Sequence, residues 1–409
     1  MSAKKSSVRH NRSNKNIKNS GVRTWIELDQ EAIKHNVKIF RKLIGPKTKL
    51  WSVVKSNAYG HGLSVFAKLA DKAGVDPTHK KIMCGVDGFC VDSLIEGLRL
   101  RKEGIKKPIL VLGYTLPHRF GEAAAKKITI TISNRESLDA LCRAKKKPFY
   151  HLKVDSGMHR QGFYPEEIPG IIKYLDKNLS GVYSHFASAK DTENSEQSAY
   201  TEKQFANFKK AFDFLERAGF KGLTRHISAT AGAIVSPEYH LDAVRIGIGL
   251  YGLWPSKELE KKFSRPRQTS LGLAHGINLH PVLSWRAIIS EIKTAKPGGY
   301  IGYDMTEKVT KPITYALLPL GYWHGISRSL SGKGEVLING KRARILGRVS
   351  MDMVVVDVSG ISCKTGDIAI IIGKSGKDEI PARDIAELSG TSHYEFLTRL
   401  NPLMEKRIL

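Results

Sequence analysis

The sequence predicts an α/β protein in which an N-terminal (β/α)8 TIM-like barrel precedes a C-terminal all-β domain. Three observations predict it. Eight short apolar runs alternate with longer amphipathic stretches over residues 25–253. Those runs are continuously apolar, as strands covered on both faces of a parallel sheet must be. After about residue 280, Gly and Pro instead punctuate closely spaced Val/Ile runs, the texture of short antiparallel strands and tight turns. The 409 residues suffice for two or three domains at about 100–200 residues each.

In chain order, residues 1–22 come first and carry Lys4, Lys5, Arg9, Arg12, Lys15 and Lys18 with no acid, among Ser and Asn. Such a segment has too little apolar surface to offset its ordering entropy and reads as a disordered basic arm. It lacks the apolar stretch of a secretory signal. Its Ser-rich, acid-free composition is shared with organelle transit peptides, but it has no amphipathic apolar face.

The barrel is expected over residues 23–253. Its strands are Leu50–Val54, Phe89–Asp92, Ile109–Leu112, Ile128–Ile132, Tyr150–Val154, Val182–His185, Arg225–Ser228 and Val244–Ile246. Between them, Ser93–Lys102 places Leu94, Ile95 and Leu98 on one helical face, and Arg135–Ala144 follows Asn134 as a cap. Eight such units match the roughly 250 residues of a closed barrel. Residues 254–279, with little periodicity, form the expected linker. The C-terminal domain, 280–409, has expected strands at Ala287–Ile292, Ile313–Leu318, Gly334–Ile338, Arg342–Leu346, Met353–Val358 and Ile368–Ile372. Gly332–Gly334 and Asn339-Gly340 mark its hairpin turns, where positive φ is tolerated.

Composition excludes several classes. With 41% hydrophobic and 26% charged residues the chain is of ordinary globular type, and it holds no run of about 18 apolar residues that would span a membrane. Cys84, Cys90, Cys142 and Cys363 show neither Cys-x-x-Cys pairing nor zinc spacing, so reduced thiols in a cytoplasmic protein and no metal site are expected. The charge is unusual: 66 Lys and Arg against 39 Asp and Glu give +27, and 60 basic residues remain without the arm. That field concentrates anions of any kind.

The chemistry is concentrated after the first apolar run, in Val53-Val54-Lys55-Ser56-Asn57-Ala58-Tyr59-Gly60-His61-Gly62. A residue at the C-terminal end of a barrel strand faces the mouth where such enzymes place their sites. Lys55 would therefore point inward, where desolvation and nearby cations lower an amine's pKa and suit it to Schiff-base chemistry. A lone lysine after a strand is usually a surface residue; the ten-residue string distinguishes this one.

That string resembles the pyridoxal-phosphate lysine motif of the alanine racemases, pyridoxal-phosphate enzymes of fold type III. Five further segments resemble the same family in order: Lys153-Val154-Asp155-Ser156-Gly157-Met158-His159-Arg160-Gln161-Gly162, Ser184-His185-Phe186-Ala187, Arg245 to Gly252, Gly347 to Asp352, and Tyr394 to Pro402. The resemblance runs from about Trp25 to the last residues.

The resemblance implies a homodimer with shared active sites, each binding pyridoxal 5'-phosphate and racemising alanine by a two-base mechanism, with no metal. It implies Lys55 as cofactor anchor and one base, and Tyr303 of the partner subunit as the other. It places Tyr59, Thr230, Gly247 and Tyr394 at the phosphate, Arg245 opposite the pyridine nitrogen, and His185 and His226 around the ring in support of Arg245. Arg160 would meet the cofactor's phenolic oxygen and the substrate carboxylate, oriented by Lys153 in carbamylated form, while Met351 and Asp352 would come from the partner to the substrate and its entry corridor. D-Alanine for peptidoglycan would be the product.

Three departures stand out. The family's usual x-Ser-Tyr-Gly is Ile301-Gly302-Tyr303-Asp304 here, and Gly321-Tyr322-Trp323-His324-Gly325 has a titratable base where the family has an acid. Ile227-Ser228-Ala229-Thr230 replaces a pattern with Asn before Ser. Tyr303 also reads as a strand tyrosine, with Tyr300 close enough to shift the register, and His185 and His226 read singly as barrel histidines. Other functions left open are a racemase of broader or serine, lysine or ornithine specificity, and, from a different class, a basic nucleic-acid-binding protein on this scaffold. The latter lacks a helix-turn-helix, zinc finger or aromatic RNA-binding motif, so weak incidental nucleic-acid binding is the expectation.

Overall fold

The computed structural model describes residues 21–73, 85–189, 194–265 and 276–409. Residues 1–20 of the basic arm, Cys84 and residues 266–275 of the expected linker lie outside these. The described residues form two compact units, one of residues 30–282 and one in which residues 21–29 join Leu283–Leu409. The barrel boundary expected at residue 23 thus falls after Asp29, and residues 254–265 and 276–282 belong to the barrel unit. They include a helix at Lys257–Phe263, and the Val282 N–H bonds the Tyr251 carbonyl at 3.1 Å.

The early boundary fails because β1 (Thr24–Leu28) is buried along its whole length and so resembles a barrel strand, yet pairs elsewhere. The barrel strands are β2 (Lys49–Val53), β3 (Gly88–Val91), β4 (Ile109–Val111), β5 (Ile130–Ile132), β6 (Tyr150–Lys153), β7 (Leu179–Tyr183), β8 (Thr224–His226) and β9 (Ala243–Ile246). Each overlaps one of the eight expected runs. They pair in parallel in two groups, β4-β3-β2-β9 and β5-β6-β7-β8. A bridge between Leu110 and Thr129 closes one seam, and bonds from Asp242 N–H to Arg225 O (3.1 Å) and Arg245 N–H to Ser228 O (3.0 Å) close the other.

Helices follow the strands for local reasons. Ser93 caps Leu94–Lys102 by accepting from the Glu96 N–H while Glu96 reaches back, a reciprocal capping box. Asn134 likewise caps Arg135–Arg143. Inside the barrel Trp51, Val53, Cys90, Leu110 and Ala243 form an apolar cluster. The inward positions of β6 to β9 are polar instead: His151, Lys153, Tyr183, His226 and Arg245, all buried.

The other unit contains β10 (Leu283–Ile288), β11 (Glu291–Ala295), β12 (Tyr300–Ile301), β13 (Glu307–Lys308), β14 (Ile313–Leu318), β15 (Glu335–Ile338), β16 (Lys341–Leu346), β17 (Val354–Asp357), β18 (Ile368–Ser375), β19 (Asp378–Ile380) and β20 (Glu405–Ile408). Its main sheet runs β11-β14-β17-β16-β15-β18-β10-β1-β20, with β19 on β18. The single run expected at Ala287–Ile292 is two strand ends: the Ile289 N–H bonds Asp367 O while the Ser290 N–H bonds Leu317 O, so the chain changes partners between them. Asn339-Gly340 is a two-residue turn with φ of 50° and 78° joining β15 and β16, whereas Gly332–Gly334 leads from a 3-10 turn into β15. Among the described residues no helix is long and apolar enough to cross a membrane.

β1 is tied to β10 by a buried pair: Glu27 Oε2 lies 2.5 Å from Arg286 Nε, and Glu27 Oε1 accepts from Trp25 Nε1 at 3.0 Å. Glu27→Ala would strand the Arg286 charge in a site where Glu27 is 4% exposed. The expected loss is about 3–5 kcal/mol, read as a lower urea midpoint at unchanged slope; a shift under about 1 kcal/mol would show that water reaches Arg286.

Candidate active site

The C-terminal ends of the barrel strands carry nine of the thirteen residues that the sequence singles out. Lys55 follows β2 directly, half-buried, with its Nζ 3.5 Å from Asp92 Oδ1 at the end of β3. The next four residues, Ser56, Asn57, Ala58 and Tyr59, all have φ between 51° and 55°, a left-handed turn made without glycine. Each such residue costs roughly 1–2 kcal/mol, so the turn persists only if its surroundings over-determine it. They do: Ala58 N–H bonds Val54 O at 2.9 Å, Ser56 N–H bonds Glu96 Oε1 at 2.7 Å, and Leu63 N–H bonds Asn57 Oδ1 at 2.9 Å. The turn brings the Tyr59 phenol against Gly247, where a Cβ would stand 2.7 Å from the hydroxyl. Burial, aided by Cys90, pushes that phenol up to about 12, so it stays a neutral hydrogen-bonding group.

Arg245, on β9, is 2% exposed. Its Nη2 donates to Ser184 O and Ile227 O, both at 2.8 Å, and to His185 Nδ1 at 3.2 Å, while Nη1 donates to His226 Nδ1. Since a guanidinium has no acceptor, His226 must carry its proton on Nε2, which faces His151 Nδ1 at 2.8 Å. His151 is therefore protonated on Nε2 as well. Burial and then Arg245 hold His185 and His226 well below the usual imidazole range, and burial takes His151 down to about 3. Neutral rings are what the chain of donors requires.

Lys153, at the end of β6, is 5% exposed, with its Nζ 4.2 Å from the Tyr183 ring centroid. Burial, then Arg245 and Arg160, hold its amine well below the usual lysine range despite Asp155. Asp155 organises the following loop: its carboxylate accepts from the N–H groups of Gly157, Met158, His159 and Arg160 at 2.8–3.0 Å. Burial raises the acid's pKa, but these four donors outweigh it and the net direction is down. Arg160 is thereby held by its backbone while its side chain remains exposed. Thr230 opens a helical turn after β8, and its hydroxyl accepts from the Gly249 N–H at 3.3 Å.

The remaining four residues lie in the other unit. Tyr303 is in a 3-10 turn between β12 and β13, 66% exposed, so it is not a strand tyrosine; Tyr300 occupies β12. Met351 is 55% exposed beside Asp352, and the Tyr322 and Trp323 N–H groups bond Ser350 O and Met351 O, each at 3.0 Å. Tyr394 lies in the helix His393–Thr398. His324, in place of the family's acid, accepts from the Gly321 N–H through Nδ1 at 3.2 Å, and burial lowers its pKa although Asp352 raises it.

Sequence reasoning missed His151, Tyr183, Asp92 and Glu96. His151 had a signal, since it lies two residues before Lys153 on the same inward face of a strand. Glu96 had none, because a capping-box acid has its own local explanation.

The residues present suit pyridoxal phosphate. An amine at a strand end, a fixed cation with neutral imidazoles behind it, and Gly247 with no room for a Cβ match an aldehyde, a ring nitrogen and closely approached phosphate oxygens respectively.

Acid should destabilise this unit. His61 is fully buried and held down to about 4 by desolvation, and His151 to about 3. Unfolded histidine titrates near 6.5, so the unfolded chain binds protons that the folded barrel refuses. Stability present above pH 6.5 should fall toward pH 4 by about 1.4 kcal/mol per pH unit for each ring. Calorimetry at pH 5 in buffers of different ionisation enthalpy should show two or more protons taken up on unfolding; none would contradict neutral buried rings.

Known proteins identify the family. Residues 28–255 match the family model for the alanine racemase N-terminal domain and residues 282–408 that for the alanine racemase C-terminal domain. The alanine racemase of Desulforamulus reducens is 37% identical over 381 residues, covering 91% of this chain and 95% of that protein. That of Carboxydothermus hydrogenoformans is 38% identical over 385 residues, covering 92% and 97%. The crystal structure of alanine racemase from Bacillus anthracis with bound L-Ala-P superposes with a TM-score of 0.84 at 32% identity, covering 95% of each chain. With both domains matched and relatives spanning nearly its whole length, the chain belongs to the alanine racemase family.

Proposed function

We propose that this protein is a cytoplasmic, homodimeric alanine racemase that interconverts L- and D-alanine by a two-base mechanism and supplies D-alanine for peptidoglycan. The observation that carries the reading is the placement of Lys55 at one strand end and, at another, of a buried Arg245 whose two Nη atoms are hydrogen-bonded.

Pyridoxal phosphate, when bound, supplies the electron-withdrawing ring that lets an amino acid lose its Cα proton. Lys55 would anchor the group, and its Nζ would take the Cα proton from one face. Tyr303 of the partner subunit returns a proton to the other face through its hydroxyl. Arg245, as a charged guanidinium, would face the ring nitrogen and keep it unprotonated, which would restrain side reactions. Tyr59, Thr230, Gly247 and Tyr394 hold the phosphate. Arg160 binds the substrate carboxylate as a planar fork of donors, with the Met351 N–H at the same group and Asp352 beside the entry.

Lys153 fits a further role. A neutral amine can add carbon dioxide and release one proton, and the resulting carbamate would be an anion among Arg160 and Arg245, the cations that now depress it. The dimer is supported by a run of exposed apolar side chains on the C-terminal unit, Tyr303, Met305, Trp323, Met351 and Met353, all more than half exposed. Patches of that kind mark surfaces that meet another protein.

Lys55→Ala is expected to abolish the visible absorbance of the bound cofactor and to lower racemisation more than 1,000-fold, about 4 kcal/mol in barrier. Full turnover in that variant would sink the assignment. Tyr303→Phe should slow turnover of one enantiomer at least tenfold more than its cofactor absorbance or the reverse half-reaction changes, as read by solvent-deuterium incorporation from each enantiomer. Equal, small effects in both directions would remove Tyr303 from the chemistry.

A further inference from the structure

The opposite end of the barrel, where the strands begin, carries a second site that the racemase reading does not use. We propose that this lower mouth binds a nucleotide, with the flat base in an aromatic cavity and the phosphates on a crown of lysines.

The cavity is about 380 Å³, and most of the residues lining it stand at or next to the first residue of a barrel strand. Its walls include Trp51, Phe89 and Phe149, and His151 also lines it. Phe149 is 59% exposed, so its ring is open to a ligand from solvent. A barrel interior is ordinarily filled by side chains. At this end Gly181 and Gly88 leave room for the rings themselves, since a Cβ would stand 2.5 Å from the His151 ring at the first and 3.2 Å from Trp51 at the second.

The chain enters the parallel strands at this end, and the described segments that enter β4, β5 and β6 are basic. Lys49 begins β2, Lys106 precedes β4, Lys126 and Lys127 precede β5, and Lys145 and Lys146 precede β6, all exposed. The acids nearby are already bound: Asp71 to Lys107, Asp87 to Arg41, and Asp176 to Lys147. The uncompensated lysines are part of the positive excess that the racemase chemistry leaves unused.

A small inorganic anion would meet the lysines and leave the cavity unfilled; a neutral aromatic would do the reverse. A planar base bearing two or more phosphate charges meets both, by stacking on aromatic faces and by charge. Free nucleotide and the end of a single strand share this chemistry. Neither Lys55 nor Arg245 lines the cavity, and the lysines and Phe149 tested below take no part in the racemase reading, so its failure and that of the racemase assignment are separate results.

Equilibrium dialysis of the cofactor-loaded protein, without magnesium, against ATP, tripolyphosphate and an eight-nucleotide oligo(dA) tests this. ATP should bind one per chain, at least fivefold tighter than tripolyphosphate at the same salt. The double variant Lys126→Glu/Lys146→Glu should weaken ATP tenfold or more and flatten the salt dependence. Phe149→Ala should weaken ATP at least fivefold and leave tripolyphosphate unchanged; both variants should keep racemase activity. Tighter binding of oligo(dA) than of ATP identifies a strand end as the ligand, and the converse a free nucleotide. Equal affinity for ATP and tripolyphosphate, or ATP binding untouched by the lysine variant, overturns the proposal.

Discussion

A guanidinium buried inside a protein is tolerable only when its donors find acceptors, and much of the barrel interior follows from supplying them to the two Nη atoms of Arg245. Two carbonyls at the ends of β7 and β8, Ser184 and Ile227, take Nη2, and His226 takes Nη1. That choice fixes the tautomer of His226, which fixes that of His151, so a cation at the site imposes a proton arrangement two residues deeper. Gly181 completes the arrangement because only a glycine leaves room for the His151 ring. Tyr183 lies flat on His226 at 4.8 Å and beneath Lys153, shielding both from water.

The same logic of over-determination explains the left-handed turn after Lys55. Four consecutive strained residues are fixed by Val54, Asn57 and Glu96, and Glu96 also caps the helix after β3 and accepts from the Asp92 N–H at 2.8 Å. One carboxylate thus ties the lysine loop to the neighbouring strand end. A rigid loop holds the Tyr59 phenol at Gly247 with little entropy left to lose when a ligand binds, which is the sense in which the site is pre-organised.

Legibility in the sequence tracked how local each determinant was. The eight barrel runs could be read because strands covered on both faces must be apolar throughout, and Asn339-Gly340 because a two-residue turn demands positive φ. β1 was legible as a strand and misleading as to sheet, since burial says nothing about which partner supplies it. The Ala287–Ile292 run concealed a change of partners with no Gly or Pro to mark it. Within the site, Lys55, Arg160 and Arg245 sat in recognisable strings. Glu96 and Asp92 act through space from a helix cap and a strand end, and no spacing rule joins them to Lys55.

By itself the sequence determined the alternation of elements, the two-part architecture and the identity of the charged groups, because each depends on periodicity or on side-chain chemistry present in a few adjacent residues. Only the tertiary structure decided which unit owns residues 24–28, which imidazole nitrogen carries a proton, and that the Lys153 amine is held well below the usual lysine range. Those properties depend on burial and on partners far apart in the chain: His151 and His226 are 75 residues apart, and Arg245 is 61 from Ser184. The interior dielectric that makes such contacts strong exists only once the barrel has closed.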